Sequence, residues 1–172
     1  MMNPRFLVLP AALVISHDAQ AMVYLSVEQA QALMFPGQTL VPVPVVLSAA
    51  DLAAIEKDCG VPVYPGSLAA WKAPGGYFFT DSVIGKHDLI RYAVAIDDGR
   101  IREVEILEYR EAYGGEVRNS RWLHQFVGLQ HGASVKVGRG IQNISGATLS
   151  SQHVTDGIRR LLATYAIAFA GR

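Results

Sequence analysis

The C-terminal segment has the clearest hydrophobic periodicity of the chain. Apolar residues recur at helical spacing from about Ser150 to Phe169, and charged residues fall elsewhere on the same surface. The apolar positions are Val154, Ile158, Leu161, Leu162, Tyr165 and Phe169. This pattern predicts a long amphipathic helix whose apolar face packs on a sheet.

The centre of the chain alternates with the period of strands. The segments Tyr77 to Ile84, Leu89 to Ile96 and Ile101 to Tyr109 are strand-like. Asp98-Gly99 separates the second from the third and is a strong signal for a two-residue hairpin turn. The third segment places charged residues on both faces, which indicates a bulge or partial exposure.

Shorter elements flank this centre. Ser26 opens a short helix that Pro36-Gly37 ends, and Ser48 opens a second one that Cys59-Gly60 closes. The valine-rich stretch 40–47 contains two prolines, which favours an edge strand. A short helix over 119–126 and a last short strand over 134–137 complete the pattern. We therefore predict an α+β fold, a twisted, largely antiparallel sheet with packed helices and a long C-terminal helix.

Composition narrows the class of protein. Half of the 172 residues are hydrophobic, 17% are charged, and the 15 basic residues balance the 15 acidic ones. The hydrophobic content is high enough for the chain to form a core. Its net charge is zero, so charge gives no indication of a nucleic-acid partner. The single cysteine, Cys59, excludes an intramolecular disulfide framework and is expected to be a buried small hydrophobe.

The N-terminus has the features of a targeting segment. Arg5 precedes an apolar stretch from Phe6 to Ile15, and Ala19-Gln20-Ala21 is a small-x-small cleavage site. We predict a signal peptide over 1–21, export to the bacterial periplasm, and a single mature domain over 22–172. That domain comprises an N-terminal helix and strand extension, 22–66, and a core, 67–172. The alternatives are an uncleaved anchor and a buried N-terminal strand.

A turn of small residues runs into the C-terminal helix. Ser145-Gly146-Ala147-Thr148 crowds hydroxyl groups at the helix start, where free backbone N–H groups and the helix dipole suit a phosphate. The alternative is that these serine and threonine residues only cap the helix.

This turn, with Val154-Thr155-Asp156-Gly157 after it, resembles the flavinylation motif of the FMN-binding domain family. The resemblance implies that Thr148 carries FMN through a phosphoester bond, installed by an FAD:protein FMN transferase. It also implies that Ser145, Gly146 and Ala147 belong to the cofactor site. Gln142 stands where the family pattern usually has an aspartate; it keeps hydrogen-bonding capacity but lacks the charge.

A second group of residues follows the third predicted strand. Tyr113 and Trp122 offer aromatic faces for a flavin ring, and Arg110 can stabilise negative charge on the reduced ring. Gly114 and Gly115 allow the backbone to approach closely. With Gly85-Lys86-His87, this run extends the family resemblance to roughly residues 75–165. The alternatives are that Trp122 belongs to the core and that Arg110 forms a solvated pair with Glu111.

Other chemistry finds no support in the sequence. The histidines His87, His124, His131 and His153 lack the spacing of a metal site, so no metal is expected. No nucleophile elbow is present, because the serine near flanking glycines, Ser145, lies in the wrong pattern. The resemblance therefore implies that the protein is an exported flavoprotein that carries electrons. It would be a component of an electron-transfer chain rather than a stand-alone enzyme, and its partner would be a membrane or periplasmic redox protein. Two alternatives remain: a non-covalent FMN-binding reductase or sensor, and a cofactor-free periplasmic interaction module.

Overall fold

A computed structural model describes residues 22–64, 66–111 and 113–171. The predicted signal peptide lies outside these residues. Six antiparallel strands form one sheet in the order β1-β6-β5-β4-β3-β2. They are β1 (Met22–Val23), β2 (Val41–Val43), β3 (Ala69–Ala73), β4 (Gly76–Ile84), β5 (Leu89–Asp97) and β6 (Arg100–Tyr109). With four α-helices packed around this sheet, the predicted α+β class is confirmed.

The helices are α1 (Val27–Met34), α2 (Ala49–Cys59), α3 (Ser120–Leu123) and α4 (Thr148–Thr164). Capping boxes at Ser26 and Ser48 start α1 and α2, as predicted. The expected helix over 119–126 is shorter, because α3 tightens into a 3₁₀ turn from His124. A two-residue parallel pair, β7 (Lys136–Val137) and β8 (Gly140–Ile141), precedes the turn at 145–148.

The central hairpin follows the sequence pattern closely. Asp98 and Gly99 both have positive φ, 44° and 74°, as this hairpin turn requires. The β5–β6 register shifts between Arg91 and Tyr92 and again between Ala95 and Ile96. These irregularities confirm the predicted bulge and account for charged side chains on both faces of β6.

The extension completes both edges of the sheet. β1 pairs with β6 at one edge, and β2 pairs with β3 at the other. β2 lies at an edge, where its proline is tolerated. The extension therefore shares one sheet with the core.

Helix α4 covers one face of the sheet, and α1 covers the other. The α4 residues Val154, Ile158 and Leu161 are buried against β4, β5 and β6, as the periodicity predicts. α1 packs through Ala30 and Met34 against a separate apolar cluster. α2 lies against α4 and buries Ile55 and Cys59, whose thiol has a raised pKa because of its burial.

A buried ion pair fixes α4 to the sheet. Arg160 Nη2 lies 2.6 Å from Asp81 Oδ2, and both side chains are at least nine-tenths buried. Tyr92 and Ser67 donate hydrogen bonds to the same carboxylate. Because each buried charge has partners, the desolvation cost is offset and the helix is held in one register.

Among the residues described, no helix is long and apolar enough to cross a membrane.

Candidate functional site

Helix α4 begins at Thr148, two residues earlier than the periodicity indicated. Ala147 is the N-cap residue, and no side chain in the described part of the chain caps this helix end. Gly146 before it has φ of 86°, a left-handed conformation that favours glycine. The alternative in which the serine and threonine residues serve as caps is therefore wrong, and the first turn of a 17-residue helix offers its N–H groups to a ligand.

The hydroxyl groups of the first turn have other partners. Ser151 Oγ donates toward Asn143 Oδ1 at 2.9 Å and toward the Thr148 carbonyl at 3.0 Å. Asn143 Nδ2 donates to Thr148 Oγ1 at 3.2 Å. Thr148 is exposed while Ser151 is fully buried. The predicted acceptor residue is thus exposed, and its hydroxyl is connected through Asn143 to the core.

Tyr109 joins the loop after β6 to the start of α4. Its hydroxyl donates to the Tyr113 carbonyl at 2.5 Å and lies 3.0 Å from Ser150 Oγ. Burial raises the pKa of Tyr109, so the phenol stays protonated near neutral pH. Since its single proton goes to the carbonyl, Ser150 is the donor in the second hydrogen bond.

Of the two predicted loop glycines, only Gly114 makes a close approach. A Cβ at Gly114 would lie 2.5 Å from Tyr109 Oη and 2.8 Å from Ser150 Oγ, whereas one at Gly115 would meet nothing within 4 Å. Gly115 instead begins a short 3₁₀ helix. Tyr113 is 87% exposed, so its ring stands free beside the helix start.

Glu111 holds a neighbouring loop. Its carboxylate accepts the backbone N–H groups of His87 and Asp88 at 2.5 and 2.9 Å. Partial burial opposes ionisation of Glu111, but these hydrogen bonds outweigh it and hold the pKa of the carboxyl below its usual range. His153 on α4 contacts the Gly85 carbonyl at 2.9 Å, so the 85–88 loop is also tied to α4.

Arg110 does not pair with Glu111. It forms an ion pair with Glu108 at 2.7 Å on the outside of β6. Alternate residues of a strand point to the same face, which explains the partner two positions away. The alternative, a solvated pair with Glu111, is wrong in its partner, and Arg110 does not line the groove described below.

A groove of about 600 Å³ opens between α3 and the 142–145 segment. Three residues predicted for the cofactor site line it: Trp122, Gln142 and Ser145. The other lining residues are Glu116, Asn119, Arg121, Gln125, Asn143 and Ile144. None of these six was predicted as a site residue, although Glu116 and Gln125 belong to the run of residues after the third predicted strand that suits a flavin. The proximity of α3 to the motif turn depends on long-range packing, which no local sequence pattern reports.

Trp122 fixes the wall of this groove. It is 5% exposed, packs edge-on against Phe126 at 5.2 Å between ring centroids, and donates its indole N–H to the Gln142 carbonyl at 2.8 Å. Gln125 accepts the Gln142 N–H at 2.8 Å. Trp122 is therefore mainly a core residue that presents only an edge to the groove.

The charged residues that line the groove are Arg121 and Glu116. Within the described ranges, no cluster of three or more potential metal ligands occurs.

The candidate site lies within a segment that matches a known protein family. Residues 85–163 match the model of the FMN-binding domain family. This span contains the 85–88 loop, the loop after β6, α3, the groove and the motif turn. No curated protein matches the chain.

The residues fit an FMN group. An uncapped helix start beside an exposed hydroxyl suits a phosphate, and the groove volume lies in the range of pockets for organic cofactors. By the match over residues 85–163 and this fit, the chain carries a domain of the FMN-binding domain family and is a flavin-binding protein with FMN as its cofactor.

Proposed function

We propose that the protein is an exported electron carrier whose FMN is joined to Thr148 by a phosphoester bond. The observation that carries the proposal is the exposed Thr148 hydroxyl on the first residue of an uncapped helix, next to the groove. FMN supplies transfer of one or two electrons when bound. The residues of the chain supply the rest: attachment, orientation and a surface for a partner.

The helix start provides the phosphate site. Gly146 turns the chain so that Ala147 and Thr148 enter α4, and the first N–H groups point away from the helix body. An N-terminal dipole favours a group with negative charge by about 0.3–1 kcal/mol at exposed sites. Such a contribution is too small to retain a cofactor by itself. A covalent bond would prevent the cofactor from dissociating after the protein is exported.

The groove provides the ring site. Its lining includes the Trp122 edge, Gln125 and Gln142, and Arg121 is the basic residue among the lining residues. Arg121 takes the place of Arg110 as the cation that can stabilise negative charge on the reduced ring.

Two exposed side chains near the start of α4 support a contact surface for a redox partner. Tyr113 is 87% exposed and Leu149, which follows the acceptor residue, is 44% exposed. Exposed apolar side chains beside a cofactor suit transient contact with a membrane or periplasmic redox partner. The FAD:protein FMN transferase must reach Thr148 at this surface as well.

The test is intact mass after co-expression with an FAD:protein FMN transferase. The wild type should gain the mass of one FMN group and Thr148→Ala should gain none. The control Thr39→Ala, at an exposed threonine outside the motif and the groove, should be modified like the wild type. The fold of Thr148→Ala should be kept within about 0.5 kcal/mol, because Thr148 is exposed. Modification of Thr148→Ala would refute this acceptor.

Two further measurements separate the alternatives. In a denaturing gel, covalent flavin stays with the fluorescent band, whereas non-covalent FMN leaves it; a protein without cofactor is colourless. Export predicts a mature N-terminus near Met22 in the periplasmic fraction. A full-length chain in the cytoplasm would contradict export.

A further inference from the structure

Asn143 connects the Thr148 hydroxyl to the protein core. Its Nδ2 group donates to Thr148 Oγ1 at 3.2 Å, and its Oδ1 atom accepts from Ser151 Oγ at 2.9 Å. Ser151 has no exposed surface, so this end of the connection is fixed by packing. The amide therefore has a defined orientation, with its donor group toward the acceptor hydroxyl.

We propose that Asn143 is a positioning residue for flavin attachment at Thr148, an inference that rests on the proposed function. A threonine in the first helical turn has more than one accessible χ1 rotamer. The hydrogen bond from Asn143, which itself lines the groove, selects the rotamer in which Oγ1 lies beside the Asn143 amide. It uses one lone pair of the oxygen and leaves the other for bond formation.

In the proposed transfer reaction, the two substrates are this protein and FAD. Thr148 Oγ1 forms a bond to the phosphorus atom of the FMN half, and the pyrophosphate P–O bond breaks. AMP leaves, and the hydroxyl proton passes to a base on the transferase. Oγ1 would then be an ester oxygen and a poor acceptor, and the Asn143 N–H would be free to donate to a charged phosphate oxygen, which is a stronger acceptor.

Gln142, which replaces the aspartate of the family pattern, is not placed for this task. Its backbone is held from two sides, by the Trp122 indole and the Gln125 amide. The structure assigns no hydrogen bond to the Gln142 side chain within its described residues. The polar group beside the acceptor hydroxyl comes instead from the next residue, Asn143.

The experiment measures flavin transfer from FAD to the purified protein by a transferase, followed by intact mass. Asn143→Ala removes the amide. Asn143→Asp has the same shape and keeps an acceptor for Ser151, but its carboxylate lacks the N–H donor. Gln152→Ala is the control, because it removes an exposed amide from the same face of α4 one turn after Thr148.

We expect both Asn143 variants to lower kcat for transfer about fivefold to tenfold, as loss of one hydrogen bond predicts, with KM for the acceptor protein unchanged. Gln152→Ala should behave as the wild type. Equal kcat in Asn143→Asp and wild type would overturn the donor role. An equal loss in Gln152→Ala would show that the rates report transferase contact with this surface, and it would overturn the inference too. A wild type that gains no mass would instead refute covalent attachment itself.

A second readout needs no transferase. In the unmodified protein, Thr148→Val keeps the shape of the side chain but removes Oγ1, so it should shift the side-chain amide resonances of Asn143. Unshifted resonances would mean that the hydrogen bond does not form in solution and would overturn the proposal.

Discussion

The hydroxyl groups of Tyr109 and Ser150 lie 3.0 Å apart, and this contact joins the last residue of β6 to the first turn of α4. The same phenol holds the Tyr113 carbonyl, so one buried side chain fixes both the loop and the helix start. The two parts of the candidate site are far apart in sequence, yet this contact sets their separation. Gly114 packs into the same corner.

Gly114→Ala should therefore disturb the site strongly. Its φ of 97° disfavours any residue with a Cβ, and that atom would lie 2.5 Å from Tyr109 Oη. We expect a loss of roughly 2–4 kcal/mol in the free energy of unfolding, from backbone strain and overpacking together. Urea denaturation measures it. Gly115→Ala is the matched control and should change stability by about 0.5 kcal/mol or less, because that position is open. Similar losses in both variants would contradict this packing.

The elements that could be predicted from sequence depend on local signals. The apolar face of α4 and the Asp98-Gly99 turn each lie within one segment of the chain, and the structure confirms both. β3 was missed because the segment 69–73 is rich in alanine, a weak strand former, and becomes a strand only by pairing with β2 and β4.

In the candidate site, too, some features follow from local sequence and others from long-range packing. Thr148 and its turn are recognisable because the motif is contiguous. The hydrogen bond from Asn143 to Thr148 depends on the backbone conformation at Gly146, and the groove depends on where α3 packs. Neither property is encoded in a local pattern.

The Glu111 contact predicts a pH effect on the 85–88 loop. The folded pKa of Glu111 lies below its ordinary value of 4.5, so the contact contributes stability above that pH and loses it as the pH falls through the folded pKa. The amide proton shifts of His87 and Asp88 should titrate together with a midpoint below 4.5, and the titration should vanish in Glu111→Gln. A midpoint at or above 4.5 would show that the two N–H groups do not stabilise the carboxylate in solution.

Trp122→Phe tests what the indole edge does. The change keeps an aromatic ring but removes the N–H that holds the Gln142 carbonyl, so the free energy of unfolding should fall by about 1–2 kcal/mol. If the ring of FMN lies in the groove, its absorption and fluorescence should shift as well. Trp71→Phe, on the opposite face of the sheet, is the control and should leave the flavin spectrum unchanged. A lower melting temperature with a native flavin spectrum would leave Trp122 with a core role alone.

Arg121→Gln tests which arginine faces the flavin. Arg121 lines the groove, whereas Arg110 is paired with Glu108 at 2.7 Å outside it. A cation near the ring stabilises the more negative reduced form, so its removal should make the midpoint potential more negative. The site is open to solvent, and we expect a shift of about 30 mV, equivalent to about 1.4 kcal/mol for a two-electron couple. Arg110→Gln should shift the potential by much less. Equilibration with a reference dye measures both variants. A larger shift in Arg110→Gln than in Arg121→Gln would place the ring beside the end of β6 rather than in the groove between α3 and the 142–145 segment.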